Sequence, residues 1–211
     1  MPEVRVESGQ GLYEESSTQE GAIGAITRLN DGRTYRYSYF SAAVNRGVLC
    51  SPDISAGSAT ANQYAGAYLH TCDDAGEGFL YRIKENTAAS SNAVTFTLFD
   101  PLVVAVTTAT DIAITPSLYN NVKIASPTDC ILCGVSVRTM QASYYGWVQT
   151  SGVATVLSDA AIALGTITTL SDGVDGAVHA QDAYTEPPVG YTTMVSDDAG
   201  HVGVILQLGI D

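Results

Sequence analysis

Apolar and polar residues alternate with a period of two along much of the chain from residue 23 onward, which is the side-chain period of a β-strand. In the segment RTYRYSYF, the aromatic residues of one face are Tyr35, Tyr37 and Tyr39. The turn signal Asn30-Asp31-Gly32 precedes this segment. Residues 25–40 are therefore predicted to form a β-hairpin.

The same period predicts a series of further short strands. They cover residues 79–84, 93–99, 102–107, 111–115, 121–125 and 130–140. Beyond residue 160, turns rich in glycine and aspartate separate the runs AIALGTITTL, GAVHA, YTTMV and HVGVILQL. Strands of this length and spacing are typical of an all-β fold built from antiparallel sandwich or barrel modules.

Residues 58–71 are the one segment whose apolar residues have helix-like spacing, behind Ser58 at its N-terminal end. Gly66 lies inside the segment, and glycine is a poor helix former. Two interpretations stay open here: a helix, or a loop followed by a short strand.

Residues 144–157, YYGWVQTSGVATVL, combine the only tryptophan of the chain with two β-branched runs and no charged residue. The pair Ser151-Gly152 interrupts these runs. A Ser-Gly pair between two alternating runs is typical of a hairpin turn. The segment is therefore predicted to form two strands joined near residue 151.

Three parts are expected along the chain. Residues 1–21 are rich in Glu, Ser, Gly and Gln and are predicted to be an extended N-terminal arm, either a disordered tail or a segment that orders against a neighbouring subunit. A β-domain is expected over residues 22–140, and a small β-barrel or sandwich module over residues 141–211. No flexible linker marks the boundary near residue 141, so a single domain is the alternative.

The charge of the chain argues against several classes of partner. Its net charge is −13, from 9 basic and 22 acidic residues, and no Lys or Arg follows Arg138. Such a surface repels a polyanion, so nucleic-acid binding is not expected. The acidic residues either keep the protein soluble or, alternatively, bind a specific basic partner. No run approaches the roughly 18 apolar residues of a membrane span. The N-terminus lacks the apolar core of a signal peptide, so a soluble protein made in the cytosol is expected, without a membrane partner.

Cysteines and acidic clusters provide the candidate metal ligands. The four cysteines are Cys50, Cys72, Cys130 and Cys133. Cys130 and Cys133 have the spacing of half a zinc site or of a redox pair, but no second such pair exists, and ordinary reduced thiols are the favoured interpretation. Aspartates beside glycine, at residues 73–77 and 172–176, match no complete calcium loop and are explained by turn formation. No metal or other cofactor is expected.

Catalysis would need a general base close to a nucleophile. The histidines available for that role are His70, His179 and His201. None of the sequence motifs of serine hydrolases, zinc proteases, phosphate-binding loops or dinucleotide-binding domains is present. The chain is therefore expected not to be an enzyme, and no catalytic residue is assigned.

The tyrosines of residues 35–39, with Tyr144, Tyr145 and Trp147, admit three interpretations: packing across strands, a subunit interface, or a platform for stacking on sugars. Arginines cluster in the same region, and arginine with tyrosine is enriched at protein interfaces. The tyrosines and arginines of this region are predicted to form a surface that contacts another protein or a neighbouring subunit, together with Leu12 and Tyr13 of the N-terminal arm. The candidate residues of this surface are Leu12, Tyr13, Arg28, Arg33, Tyr35, Arg36, Tyr37, Tyr39 and Arg46.

Several segments together resemble virion proteins of tailed marine bacteriophages, of the capsid decoration or cement type. The segments are DGRTYRY at 31–37, DPL at 100–102, PSLYNNV at 116–122, GVSVRTMQASYYGWVQTSGVATVLSD at 134–159, Gly165, and DGAV at 175–178. The resemblance covers about two thirds of the chain, and the Gly-Trp-Val-Gln-Thr stretch is its most specific part.

This resemblance implies an all-β protein bound to the outer surface of a phage head, with the major capsid protein as partner. It also implies a homotrimer that reinforces contacts between capsid subunits, present in the host cytoplasm before assembly. The family contributes no catalytic residue. A carbohydrate-binding module of a phage tail or fibre is the alternative, as is another virion β-protein such as a tail-tube component.

Overall fold

The computed structural model describes residues 26–28, 33–40, 47–51, 59–90, 93–126, 131–184 and 186–208. Of residues 26–28, 50 and 51, only the backbone is described. Within these ranges the chain forms fourteen strands and no helix, which confirms the predicted all-β class. The predicted arm at residues 1–21 lies outside the described residues.

The strands in chain order are β1 (Ile26–Arg28), β2 (Thr34–Phe40), β3 (Val48–Ser51), β4 (Tyr68–Thr71), β5 (Leu80–Asn86), β6 (Phe96–Leu98), β7 (Ile112–Thr115), β8 (Lys123–Ile124), β9 (Ile131–Ser136), β10 (Tyr144–Ser158), β11 (Ile167–Leu170), β12 (Ala177–Ala180), β13 (Pro188–Thr192) and β14 (Gly200–Gln207). The predicted hairpin at residues 25–40 is confirmed, because β1 and β2 pair antiparallel. The predicted strand at residues 102–107 is wrong: within the described part of the chain this segment belongs to no strand.

The chain divides into two compact units. The first comprises Met1–Pro52 and Leu118–Asp211, and the second comprises Asp53–Ser117. This division does not follow the expected boundary near residue 141. The physical reason is that β10, which starts at Tyr144, pairs along its N-terminal half with β2, so strands on both sides of that boundary share one sheet.

A closed five-stranded barrel is the centre of the first unit. Its strands follow the order β12-β11-β13-β14-β10, and a parallel pairing of β10 with β12 closes the ring. Along β14, buried side chains alternate with outward ones, as a barrel requires. The interior is filled by small branched residues, among them Val156, Val178, Val189, Val202 and Val204.

Strand β10 is continuous over fifteen residues, so the predicted hairpin turn near residue 151 is wrong. Its N-terminal half pairs with β2 and its C-terminal half with β14. A bulge between Gln149 and Ser151 separates the two halves, and the Gln149 side-chain amide donates to the carbonyls of Ser151 (3.0 Å) and Val153 (2.9 Å). Gly152 has φ 82°, a conformation that glycine adopts without steric cost. Residues that resemble a turn in sequence therefore form a bulge that bends one long strand.

The remaining strands of the first unit extend the sheet beyond the barrel. β9, β3 and β8 follow β10 in that order. A second apolar cluster lies under them, with Phe40, Leu49, Val122 and Val148 fully buried.

The second unit is a four-stranded antiparallel sheet in the order β6-β5-β4-β7. Ala67 and Ile83 are fully buried in its core. Residues 61–66, part of the segment with helix-like spacing, form turns, and residues 68–71 form β4. The backbone N–H groups of Asn62 and Gly66 donate to carbonyls of Asn86 and Ile83, both 2.9 Å away on β5, instead of to carbonyls one helical turn back. The helix interpretation is thus wrong, and the loop-and-strand alternative is confirmed.

Candidate interaction surfaces

The tyrosine face of β2 packs inside the first unit. Tyr37 is 1% exposed, and its ring meets that of Trp147 edge-on at a centroid distance of 5.2 Å. The two residues are directly opposite each other on β2 and β10. Tyr35, 3% exposed, belongs to the same buried cluster. Of the three interpretations of these aromatic residues, packing across strands is the one that their burial supports.

Arg36 is also buried, on the opposite face of β2. Its guanidinium carbon lies 5.4 Å from the centre of the Tyr119 ring, a cation–π geometry. Tyr35, Arg36 and Tyr37 therefore do not form the exposed contact patch that the sequence predicts. The physical reason is that β2 is covered by packing on both faces.

The other predicted contact residues have varied positions. Tyr39 and Arg33 are half-buried in the first unit. The Arg28 side chain lies outside the described part of the structure, and so do Leu12, Tyr13 and Arg46. Their predicted role stays a prediction.

Tyr39 and Tyr145 are cross-strand neighbours whose ring centres lie 4.8 Å apart. Burial raises the pKa of the Tyr145 phenol above its ordinary value, and the charge of Tyr39 adds to the effect. Tyr145 therefore keeps its proton to a higher pH than the ordinary tyrosine pKa implies.

A row of four apolar side chains, three of them exposed, crosses four strands of the barrel. Ile167, Tyr191, Ile205 and Val153 are successive cross-strand partners on β11, β13, β14 and β10. Val153 is 52% exposed, Ile205 44% and Tyr191 38%. We call these four residues the barrel row. They point outward because their neighbours in each strand, such as Ala154 and Val204, fill the barrel interior.

The surroundings of the barrel row carry little charge. Neither β10 nor β14 contains an acidic or basic residue apart from His201. Met194, itself half exposed, lies beside Gly203 and extends the apolar surface. A patch of this kind on a chain of net charge −13 is typical of a contact site for another macromolecule.

The second unit has its own exposed apolar segment. Phe99, Leu102, Val103, Val104 and Val106 are each at least 41% exposed, and Val103 reaches 70%. We call residues 99–106 the apolar loop. No charged residue occurs between Asp100 and Asp111.

The backbone of the apolar loop is only sparsely hydrogen-bonded among the described residues. The N–H of Phe99 donates to the carbonyl of Arg82 (3.0 Å), and the N–H of Val103 donates to the hydroxyl of Tyr81 (3.1 Å). From Val104 to Val106 no hydrogen bond is formed within the described part of the chain. A β-branched, apolar segment with open backbone groups is suited to pairing with a strand of a partner.

Neither the barrel row nor the apolar loop was predicted from the sequence to be a contact surface. In β14 the signal was present: VGVILQL has apolar residues on both faces, although an antiparallel barrel strand needs only one apolar face. For the apolar loop, strong β-propensity predicted a strand, but propensity does not show whether a partner strand exists.

A group of possible metal ligands lies at the β11–β12–β13 end of the barrel. Single ligand atoms of Asp172, His179 and Glu186 all lie within 4.8 Å of one another. The sequence predicted no metal site and explained the aspartates at 172–176 by turn formation. The structure adds His179 and Glu186 from the next strand and loop, which no local motif could join to Asp172.

The other candidate ligands are less suited to a joint site. Cys72 is exposed in the second unit, and Cys133 is fully buried in the first. Cys130 and the side chain of Cys50 lie outside the described residues. His70 contacts the Thr115 hydroxyl at 2.8 Å, so this histidine is held by a neighbouring strand.

Among the described residues, no helix has the length and apolar character needed to cross a membrane. Comparison with known proteins gave no match to a family model, to a curated protein or to a solved structure.

Proposed function

We propose that this chain is a structural virion protein, a decoration or cement protein that binds the outer surface of a phage head and bridges capsid subunits. The sequence resemblance described above is the starting point of this proposal. The all-β architecture is compatible with it. In this proposal the chain has no catalytic role, and its partner is the major capsid protein.

The observation that carries the proposal is the presence of two exposed apolar surfaces on two compact units. A protein that bridges subunits needs at least two separate contact surfaces. The barrel row provides one on the first unit, and the apolar loop provides the other on the second. The two surfaces suit different modes of contact: side-chain packing for the barrel row, and strand addition for the apolar loop.

The energetics of such bridging depend on repetition. Completing the burial of one half-exposed Val or Ile contributes roughly 1 kcal/mol, so a single surface of this size binds weakly. A symmetric shell presents the same contacts many times, and a homotrimer engages several at once. Effective concentration then raises the overall affinity far above that of one contact.

The carbohydrate-binding alternative loses part of its predicted platform. Of the tyrosines of residues 35–39 with Tyr144, Tyr145 and Trp147, three are each less than 10% exposed: Tyr35, Tyr37 and Trp147. A tail-tube component would instead assemble into rings or polymers. Sedimentation of the purified chain separates closed trimers from such polymers.

Binding to heads assembled without this chain tests the proposal. Purified protein is mixed with such heads, the heads are sedimented, and bound copies are counted by densitometry. Ile205→Lys changes the barrel row and Val103→Asp changes the apolar loop, and each should reduce occupancy by at least about tenfold.

Matched variants control for the added charge. His201→Lys adds the same charge on the same face of β14, four residues from Ile205, and Ala109→Asp adds a charge on the same exposed stretch as Val103. Both should bind as the unmodified chain does. Failure of the unmodified chain to bind heads would refute the proposed function, and equal loss in test and control variants would refute the assigned surfaces.

A further inference from the structure

Asp172, His179 and Glu186 come from three consecutive parts of the barrel. Asp172 lies in the turn between β11 and β12, His179 lies on β12, and Glu186 precedes β13. Thr169 on β11 holds the arrangement together: it is the cross-strand partner of His179, and its hydroxyl donates to Glu186 Oε2 at 3.1 Å. The sheet register thus fixes His179 beside Thr169, and the Thr169 hydroxyl positions Glu186.

The imidazole of His179 has an open coordination position. Its Nε2 atom is buried, forms no hydrogen bond within the described residues, and lies 3.8 Å from Glu186 Oε2. A buried polar nitrogen without a hydrogen bond is costly, and a bound ion removes that cost.

Two carboxylates meet at the same place. Asp172 and Glu186 each place a carboxylate oxygen within 4.8 Å of the other and of a His179 ring nitrogen. The next basic residue back along the sequence is Arg138, so no Lys or Arg of this strand-loop segment neutralises them.

We propose that Asp172, His179 and Glu186 bind a divalent transition-metal ion of the Zn²⁺ class. One imidazole nitrogen with carboxylate oxygens is a donor set for such an ion, whereas calcium takes oxygen ligands alone. Ligand atoms around tetrahedral zinc are separated by about 3.4 Å, given bond lengths of about 2.1 Å. The 3.8 Å separation of His179 Nε2 from Glu186 Oε2 is already close to this value, whereas a separation of 4.8 Å has to shorten by about 1.4 Å, which the exposed Asp172 side chain in its turn allows.

Such an ion would stabilise the barrel closure. It would join the turn after β11, strand β12 and the loop before β13, next to the short parallel pairing of β12 with β10 that closes the ring. Because only the folded chain assembles the ligands, binding would raise the unfolding temperature.

Zinc titration of the full chain, stripped of metal with a chelator, tests this site. Isothermal calorimetry should show one Zn²⁺ per chain, and thermal unfolding should shift upward with added Zn²⁺. Glu186→Gln and His179→Gln should each weaken binding by at least about tenfold and remove the thermal shift. Circular dichroism and Trp147 fluorescence establish whether each variant is folded. If His179→Gln does not fold, Glu186→Gln provides the test, because Glu186 lies at a partly exposed loop position.

Two control variants identify binding elsewhere. Asp175→Asn removes an exposed carboxylate from the same turn, and Cys72→Ser removes the exposed thiol. Both should bind zinc as the unmodified chain does. Absence of saturable zinc binding below about 1 mM Zn²⁺ would overturn the proposal. Loss of zinc binding in Asp175→Asn or Cys72→Ser, with binding retained in Glu186→Gln, would also overturn it.

Discussion

Val153 on β10 and Ile205 on β14 are directly opposite each other on the outside of the barrel, with 52% and 44% of their surface exposed. The barrel interior is filled by other residues of the same two strands, such as Val156, which is fully buried. The outer pair therefore adds little to folding. In the proposed function, its apolar side chains contact another molecule.

Substitution in this pair should leave the fold intact. Val153→Thr is expected to change the free energy of unfolding by less than about 0.5 kcal/mol, because the side chain is largely in water already. Val156→Ala, three residues away and facing inward, should cost about 2 kcal/mol through the cavity it leaves. Urea denaturation of both variants measures the difference. A cost for Val153→Thr as large as that for Val156→Ala would show that the barrel row serves stability.

The aromatic pair of Tyr37 and Trp147 should be a main source of stability for the first unit. Tyr37→Ala removes a fully buried ring and its edge-on contact with Trp147, so a loss of about 3–5 kcal/mol is expected. Urea unfolding followed by Trp147 fluorescence measures this loss of unfolding free energy. Tyr184→Ala is the control, since Tyr184 is fully exposed and its loss should cost less than about 0.5 kcal/mol. Similar costs for both would contradict the packing role.

Glycine is required at residue 134, where β9 passes close to β10. A Cβ atom there would lie 2.2 Å from Val148 Cγ1 and 2.6 Å from the Gln149 carbonyl oxygen, and φ is 152°. Gly134→Ala should therefore destabilise the chain by about 1–3 kcal/mol or more. Gly173→Ala, in a turn with open space around the added atom, should have little effect. Thermal unfolding compares the two, and a tolerated Gly134→Ala would contradict the close approach.

Ionisation of Tyr145 should couple to stability at alkaline pH. Its pKa is raised in the folded state, mainly by burial, so the folded chain holds this proton more tightly than the unfolded chain. The resulting stabilisation is fully present below the ordinary tyrosine pKa of about 10 and is lost as pH rises through the folded-state value. Tyr145→Phe should reduce the fall in unfolding free energy between pH 9 and pH 11, roughly one unit on either side of that pKa.

Urea denaturation at the two pH values measures this change. Tyr184→Phe is the matched control, because it removes the hydroxyl of a fully exposed tyrosine. An unchanged pH dependence in Tyr145→Phe would refute the coupling.

The fold class and many of the strands could be predicted because alternation of side chains is a local property. The hairpin β1–β2 needed only a turn signal and the period of two. The continuity of β10 could not be predicted in this way. Whether Ser151-Gly152 forms a turn or a bulge depends on the partner strands: β2 and β14 both pair at Ser151 and hold the chain extended there.

The contact surfaces were harder to predict than the strands. A tyrosine such as Tyr37 looks the same in sequence whether it is buried beside Trp147 or exposed on a surface. Its position follows from register with β10, which is a long-range property. For the same reason Asp172, His179 and Glu186 could be brought together only by the pairing of β11 with its neighbours.

A cryo-electron microscopy map of the virion that carries this chain tests most directly whether the chain bridges subunits of a phage head. We expect density for the chain on the outer surface of the head, with the barrel row and the apolar loop in contact with capsid subunits or with neighbouring copies. Density in the tail or inside the head would contradict it.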